Sequence, residues 1–166
     1  HTDAPDDHPV NPFRGVPVAA RTDAIEERLR ALRGGVLDDT SSDALHAVWR
    51  AGIKAEPWDR PPVWIHGDLH PGNIVAHDGA LAGIIDFGDV TAGDPAHDLA
   101  VAWLAFDQAG REKFIAASGP AYDADIWVRA HAWAAAVVLM LLAHSDDNPA
   151  YFALGRDAAA EVLAKA

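Results

Sequence analysis

Two stretches of the sequence decide how it is interpreted: HGDLHPGN at residues 66–73 and IIDFGD at residues 84–89. The runs 73–76 and 81–85 are short and rich in apolar and β-branched residues, a composition typical of β-strands. An Asp-Gly dipeptide lies between these two runs, and it is typical of the two-residue turn of a β-hairpin. The sequence therefore predicts a hairpin with one polar loop before its first strand and another after its second strand.

Asn73 and Asp86, 13 residues apart in the chain, stand at the two open ends of the predicted hairpin. Because a hairpin brings its ends together, the side-chain oxygens of these two residues can share one cation. Oxygen ligands without sulfur suit Mg²⁺, which completes its shell with water and phosphate oxygens. Asp68 lies on the loop that leads into the hairpin, where a carboxylate can face the same cation and orient a nucleophilic hydroxyl.

The segments on both sides of the hairpin carry helical patterns. After Thr22, for example, Ile25, Leu29 and Leu32 recur on one helical face, and two glycines follow as a stop signal. A small β-hairpin with helices on both sides predicts the fold class α+β, mostly α. Besides the hairpin, the predicted elements are a helix after Thr22, helices over 42–51, 95–107, 110–118, 123–143 and 148–165, and a short strand at 63–65.

The composition excludes several classes of protein. The 166 residues contain 13 Lys and Arg against 25 Asp and Glu, and this net charge of −12 disfavours binding to nucleic acid through phosphate contacts. The absence of cysteine excludes disulfides, zinc–thiolate centres and cysteine nucleophiles. The longest apolar run, 132–143, is too short to span a bilayer and predicts a buried helix. We therefore expect a cytoplasmic protein that binds neither nucleic acid nor membrane.

The two motifs also carry a family resemblance. A His-x-Asp pattern, an Asn five residues after that Asp and a later Asp-Phe-Gly resemble the catalytic and magnesium loops of protein kinases. The exact sequence of residues 66–73, together with GDPAHDLA at 93–100, resembles the aminoglycoside phosphotransferase family more than it resembles protein kinases. This family consists of kinase-like small-molecule phosphotransferases. The motif region, 64–103, is a quarter of the chain. The resemblance implies a protein-kinase-like C-terminal lobe in which a small β-hairpin carries the catalytic and metal loops.

The resemblance implies a role for each residue of the motifs. Asp68 would be the catalytic base that accepts the proton of the substrate hydroxyl. Asn73 and Asp86 would bind Mg²⁺. Asp89 continues the metal loop, 86–89, and a direct role for it is left open.

Three further residues would support the loops. His66 would be buried and would tie the catalytic loop, 66–73, to the metal loop. Asp98 would accept backbone N–H bonds from the catalytic loop. His70 stands where protein kinases often have Lys, and it could donate a hydrogen bond to a phosphate. His97, next to Asp98, is expected to be exposed, and Asp94 is expected to cap a helix.

The family's N-terminal lobe, with its glycine-rich nucleotide loop and phosphate-pairing Lys, has no counterpart in this sequence. The lysines are Lys54, Lys113 and Lys165, and none lies in a Val-Ala-Ile-Lys strand. We expect residues 1–20, which contain four prolines, to be an extended lead-in after a missing nucleotide lobe, and 21–166 to be the C-terminal lobe. The chain alone should then be weakly active or inactive.

The function implied is transfer of the γ-phosphate of ATP or GTP to a hydroxyl of a small molecule. An aminoglycoside-like antibiotic is one candidate acceptor, with antibiotic resistance as its consequence. The acidic residues indicate either a solvated surface or a pocket for a cationic acceptor, with 121–129 and 144–157 as candidate walls of that pocket.

Three alternatives stay open at the level of sequence. A non-catalytic binding module could keep the scaffold of the kinase lobe. Residues 67–70, Gly-Asp-Leu-His, fit the Gly-Asp-x-His pattern of metal-dependent phosphoesterases, although the Gly-Asn-His-Asp/Glu that this class carries further downstream is absent. His66, His70 and Asp86 could form a zinc site.

Overall fold

The computed structural model describes residues 1–164, so the part of the predicted last helix that reaches 165, and Lys165 with it, lies outside the described residues. The described part contains seven α-helices and two antiparallel two-stranded sheets, which confirms the α+β, mostly α class. The helices are α1 (Thr22–Leu32), α2 (Asp39–Lys54), α3 (Ala96–Leu99), α4 (Val101–Leu104), α5 (Gln108–Ala117), α6 (Ala124–His144) and α7 (Pro149–Leu163), and the strands are β1 (Val63–Ile65), β2 (Ile74–His77), β3 (Ala80–Ile84) and β4 (Thr91–Gly93).

Helix α6 is the centre of the core. It packs against α1, α2, α3 and α7, and the ring of Trp133 on α6 meets that of Trp49 on α2 edge-on at 5.9 Å between centroids. This helix is long and apolar enough to cross a membrane by length and composition, but 67% of its most apolar window is buried inside the protein. The buried helix predicted from the apolar run 132–143 is therefore confirmed as the core helix.

The starts of four helices follow from side-chain caps. Asp38, Asp107, Asp123 and Asn148 each accept a hydrogen bond from a backbone N–H in the first turn of the helix that they precede. Asp38 explains why α2 begins three residues before the predicted start at 42. The single helix predicted over 95–107 is instead two short helices, α3 and α4.

The predicted hairpin forms, with β2 and β3 paired so that Ile74 lies opposite Ile84. Asp78 and Gly79 in its turn both have positive φ, 50° and 76°, as a two-residue turn of the type I′ class requires. A second pairing, β1 with β4, was not predicted, because the Thr-Ala-Gly of β4 lacks the alternation of a typical strand. This pairing brings the loop after β1 beside the loop before β4.

The segment 1–20 is extended for most of its length. The backbone N–H of Trp64 in β1 donates to the carbonyl of Thr2 at 2.9 Å, so the segment lies along the small sheet. It ends in a single 3₁₀ turn, Val18–Arg21, which the sequence did not predict.

Substitution of Gly52 tests the packing of α2 on α6. A Cβ atom at this position would overlap with that of Ala132, and neither helix backbone can easily move away. Gly52→Ala is expected to lower the free energy of unfolding by about 1–3 kcal/mol, despite a gain of about 1 kcal/mol in helix propensity. Urea denaturation checks this, with Gly83→Ala as the control, because a Cβ at Gly83 meets no atom within 4 Å. Equal stability of the two variants would contradict the prediction.

Candidate active site

The loop after β1 is held by the carboxylate of Asp98. Asp98 is 6% exposed, and its two oxygens accept hydrogen bonds from the backbone N–H groups of His66 at 2.7 Å and Gly67 at 3.0 Å. Gly67 has φ +82°, and a Cβ there would collide with the backbone carbonyl of Asp89. The loop is thus fixed from α3 on one side and packed against the segment 86–89 on the other.

The ring of His66 joins the same two loops. Its Nδ1 accepts a hydrogen bond from the backbone N–H of Asp68 at 3.2 Å, and its Nε2 lies 2.9 Å from the carbonyl oxygen of Ile85. An acceptor at Nδ1 and a donor at Nε2 describe a neutral imidazole with the proton on Nε2. The side chain is buried, and neither ring nitrogen is available to a metal ion.

His97 is a second buried histidine against this loop, and its predicted exposure was wrong. Only 7% of it is exposed, its Nε2 donates to the carbonyl oxygen of Gly67 at 2.9 Å, and its ring packs on Trp133 at 4.4 Å between centroids. Its position on α3 turns it towards the loop and the core. A four-residue helix is too short for its sequence pattern to indicate a buried face. Asp94, interpreted as a cap, accepts from the backbone N–H of Ala96 at 3.0 Å.

Burial lowers the pKa of His97 below its ordinary value of 6.5, although the negative charge of Asp98 acts in the opposite direction and raises it. Between the two pKa values the unfolded chain binds more protons than the folded one, so this stabilisation is complete above about pH 6.5 and declines below it. We expect the free energy of unfolding to fall between about pH 7 and about pH 5.5, and to fall less in His97→Gln. Urea denaturation at both pH values measures this, and a wild-type value that does not change would contradict it.

Asp68 is half-buried and contacts three polar side chains. The Nδ2 of Asn73 donates to its backbone carbonyl at 2.9 Å and to its Oδ2 at 3.3 Å. The Nε2 of His70 lies 3.5 Å from Oδ2, and a guanidinium nitrogen of Arg14 lies 3.6 Å from Oδ1. A hydrogen bond from His70, and then the charges of His70 and Arg14, hold the pKa of the Asp68 carboxyl below its usual range, although burial opposes this. The group is therefore an ionised carboxylate at neutral pH.

His70 is aimed at Asp68 by its own contacts. Its Nδ1 accepts from the backbone N–H of Gly72 at 3.0 Å, and its ring stands edge-on against Tyr151 at 5.7 Å between centroids. Because Nδ1 is an acceptor, the ring proton is on Nε2, the atom nearest to Asp68.

Asn73 and Asp86 lie at the open end of the hairpin. The backbone N–H of Ile85 donates to the carbonyl oxygen of Asn73 at 3.0 Å, so Asp86 is one residue beyond a direct cross-strand contact. Asp86 has a left-handed backbone with φ 61° and an exposed side chain without a capping hydrogen bond.

The donor set at this end of the hairpin suits Mg²⁺. The Nδ2 of Asn73 is used by Asp68, which leaves its amide oxygen and the Asp86 carboxylate as two oxygen ligands for a cation. Within residues 1–164, no three His, Asp or Glu side chains are grouped to hold a metal. The zinc site of His66, His70 and Asp86 is therefore not formed.

Two polar residues of the N-terminal segment lie beside Asp68 and Asp89, and the sequence did not predict a role for either of them. Arg14 donates to Oδ2 of Asp89 from Nε at 3.3 Å and from Nη2 at 3.1 Å, and Asn11 donates to Oδ1 of the same carboxylate at 3.2 Å. Asp89 therefore anchors the segment 11–14 beside Asp68. No local pattern could reveal this, because more than 70 residues separate the partners along the chain.

Asp68 and His70 lie in a cleft that also includes Met140 of α6. On one side of them the cleft is lined by the end of α6 and the start of α7, with His144 and Tyr151. On the other side it extends towards α1. Of the two segments predicted as pocket walls, 144–157 contributes to this cleft, whereas 121–129 does not.

The chain is similar to known proteins in sequence and in fold. Residues 3–136 match the model of the phosphotransferase enzyme family. The chain is also 36% identical over 96 residues to a homoserine kinase of Rhodospirillum rubrum, a match that covers 58% of this chain and 26% of that protein.

Solved structures show the same fold. One is the GDP complex of wild-type aminoglycoside 2'-phosphotransferase-IIIa, with a TM-score of 0.59 and 19% identity over 91% of this chain and 53% of that one. Another is a thermostable mutant of aminoglycoside phosphotransferase APH(4)-Ia in ternary complex with AMP-PNP and hygromycin B, with a TM-score of 0.51 and 19% identity. It is matched over 87% of this chain and 50% of its own length. The chain thus spans about half the length of these proteins and about a quarter of the homoserine kinase.

Proposed function

Since the chain belongs to the phosphotransferase enzyme family, we propose that it supplies the acceptor side of a kinase that phosphorylates a hydroxyl of a small molecule. The observation that carries this proposal is the placement of Asp68. Its carboxylate is ionised, oriented by Asn73 and His70, and open to a cleft of small-molecule size. A carboxylate in this state can accept a proton, which a hydroxyl must lose as it attacks phosphorus.

The proposed step is a single displacement. The oxygen of the acceptor hydroxyl forms a bond to the γ-phosphorus of ATP or GTP, and the bond from that phosphorus to the bridging oxygen of the nucleoside diphosphate breaks. The hydroxyl proton goes to Asp68. Because phosphoryl transfer depends mainly on positioning and charge neutralisation, the contacts that fix the carboxylate are the protein's main contribution here.

Asn73 and Asp86 would hold Mg²⁺ through their side-chain oxygens. When bound, the ion would neutralise charge on the nucleotide phosphates. Asn73 would then have two roles, since its Nδ2 orients Asp68 while its Oδ1 faces the cation. His66 and Asp98 are proposed as positioning residues that hold the backbone of the two loops. Asp89 is proposed to act through Arg14 rather than on the metal.

A second lobe is proposed to complete the nucleotide site. The chain covers only about half of the solved kinases it resembles, so the whole protein's activity is an inference beyond this chain. Ile85 and Phe87, on either side of Asp86, are 49% and 61% exposed, and such apolar side chains suit contact with a nucleotide base or another lobe. Without that lobe the chain is expected to be weakly active or inactive.

A cytoplasmic location, without membrane or nucleic-acid partners, stays a prediction.

The relatives suggest two classes of acceptor. The homoserine kinase is named for an amino acid with a primary hydroxyl, and the APH(4)-Ia structure contains hygromycin B. An antibiotic-resistance role would follow only from the second class.

A direct test uses the protein as its gene encodes it, with Mg²⁺ and either ATP or GTP. Nucleoside diphosphate release is measured with L-homoserine, hygromycin B and other hydroxyl compounds as acceptors. Release that depends on both metal and acceptor supports the proposal. Binding of nucleotide without release under any condition would support the non-catalytic binding module instead. Hydrolysis of a generic phosphoester without nucleotide would favour the phosphoesterase.

A further inference from the structure

Two arginines face the cleft beside Asp68 without a carboxylate partner. Arg21, at the end of the 3₁₀ turn, and Arg28, on α1, line the part of the cleft that extends towards α1. Both are half-buried, and neither forms an ion pair or a side-chain hydrogen bond within residues 1–164. The guanidinium of Arg21 packs over the ring of Phe13 at 4.8 Å from its centroid, a contact that leaves its N–H donors available. Arg14 lines the same part of the cleft, but its guanidinium is paired with Asp89.

Three guanidinium groups close together are unfavourable unless an anion joins them. Burial and then the charge of Arg21 lower the pKa of Arg28. Arg14 adds to this effect, and Glu27 acts in the opposite direction. The same groups would become favourable partners for a carboxylate or phosphate, because a guanidinium fork donates two parallel hydrogen bonds to either.

The charge of the cleft is opposite to that of the protein as a whole. The chain carries a net charge of −12, yet within the described residues Asp68 is the only carboxylate that lines either part of the cleft. The acidic side chains of Asp146, Asp147 and Asp157 are exposed to solvent and do not line it. A polycationic acceptor would therefore meet two unpaired arginines and one carboxylate, whereas an anionic acceptor would meet complementary charge.

We propose that Arg21 and Arg28 bind an anionic group of the acceptor, so that the substrate is a hydroxy acid or a hydroxylated phosphate ester rather than a polycation. The proposal rests on the proposed function, because it takes this cleft as the acceptor site. The arginines would hold the anionic group at one end of the cleft, with the acceptor hydroxyl directed to Asp68. The two residues would then determine which acceptors are used without taking part in the phosphoryl transfer.

The test compares probes that differ in charge. L-Homoserine carries a hydroxyl, an ammonium and a carboxylate, 3-aminopropan-1-ol lacks the carboxylate, and 4-hydroxybutyrate lacks the ammonium. Glycerol 3-phosphate supplies a phosphate in place of the carboxylate, and hygromycin B is the polycation. Calorimetric titration of each probe into the full-length protein gives its affinity, with probe concentrations up to about 10 mM so that millimolar ligands are detected.

The variants Arg21→Gln and Arg28→Gln keep most of the side chain and remove the charge. Arg30→Gln is the matched control, because Arg30 lies on α1 like Arg28 but is exposed and does not line the cleft. At least one anionic probe is expected to bind. That affinity should fall about tenfold or more in each cleft variant, remain in the control and be partly kept in Arg28→Lys.

The wild-type protein alone keeps the proposal falsifiable if a variant does not fold. Tighter binding of 3-aminopropan-1-ol or hygromycin B than of every anionic probe would overturn it, as would no binding of any anionic probe. Anion affinity that is equal in the cleft variants and the control would overturn it too. If an anionic probe binds but the full-length protein turns over no acceptor, the anion site at Arg21 and Arg28 stands, whereas the proposed function, and with it the acceptor role of that site, is refuted. Turnover of cationic acceptors only would refute this inference and support the proposed function.

Discussion

Replacing Asp68 by asparagine is expected to lower the turnover of the full-length protein by about 10²–10⁴, because the hydroxyl proton then has no carboxylate to accept it. Asparagine has nearly the shape of aspartate, so the side chain still fits between Asn73 and Arg14. The Michaelis constants for nucleotide and acceptor should therefore change much less than turnover. Steady-state measurement of nucleoside diphosphate release, at saturating acceptor, checks this.

The control for this variant is Asp107→Asn. Asp107 caps α5 through its side-chain oxygen, and asparagine is an equally good cap, so the same chemical change is made far from the cleft. Its turnover should match that of the wild type. Near-wild-type turnover of Asp68→Asn would remove Asp68 from the role of base, whatever the other residues do.

Asp86→Ala is expected to abolish detectable metal-dependent binding of nucleotide. The substitution removes one of the two oxygen ligands proposed for Mg²⁺ and leaves only Asn73, which is too few to hold the ion beside the phosphates. Titration of ATP and GTP into the full-length protein, with Mg²⁺ and with a chelator, measures the effect. The wild type should bind nucleotide more tightly with Mg²⁺, and the variant should show no such difference.

The hairpin offers a matched control for Asp86→Ala. Asp78 is also an exposed aspartate with a left-handed backbone, φ 50°, but it lies in the turn at the other end of the hairpin. Asp78→Ala therefore imposes the same backbone strain and loses the same charge without touching the proposed metal site. Metal-dependent nucleotide affinity that survives in Asp86→Ala, or is lost equally in both variants, would contradict the assignment.

The sequence predicted the fold well where the signals were local. The Asp-Gly turn predicted the hairpin, and the long apolar run predicted the core helix, because both depend on neighbouring residues. The family resemblance is confirmed by the match over residues 3–136. The roles proposed for Asp68, Asn73 and Asp86 stay predictions that the geometry supports.

The sequence could not predict contacts between distant segments. Strand β4 exists because β1 pairs with it, and its three residues have no strand pattern of their own. Arg14 pairs with Asp89, which lies 75 residues later in the sequence, and His97 packs against Trp133 of α6. Net charge describes the whole surface, so it could not predict the charge of the side chains that line the cleft. The positions of Arg21 and Arg28 beside Asp68 were evident only from the structure, which places the 3₁₀ turn and α1 against the catalytic loop.

If Asp68 is the base, it promotes transfer of the γ-phosphate to an acceptor hydroxyl. The most direct measurement follows the label from γ-labelled ATP or GTP in the full-length protein with Mg²⁺, in parallel with Asp68→Asn. We expect the label to appear in a phosphate ester of the acceptor, and we expect Asp68→Asn to lose this transfer. Label that appears only as inorganic phosphate, or transfer that is unchanged in the variant, would contradict it.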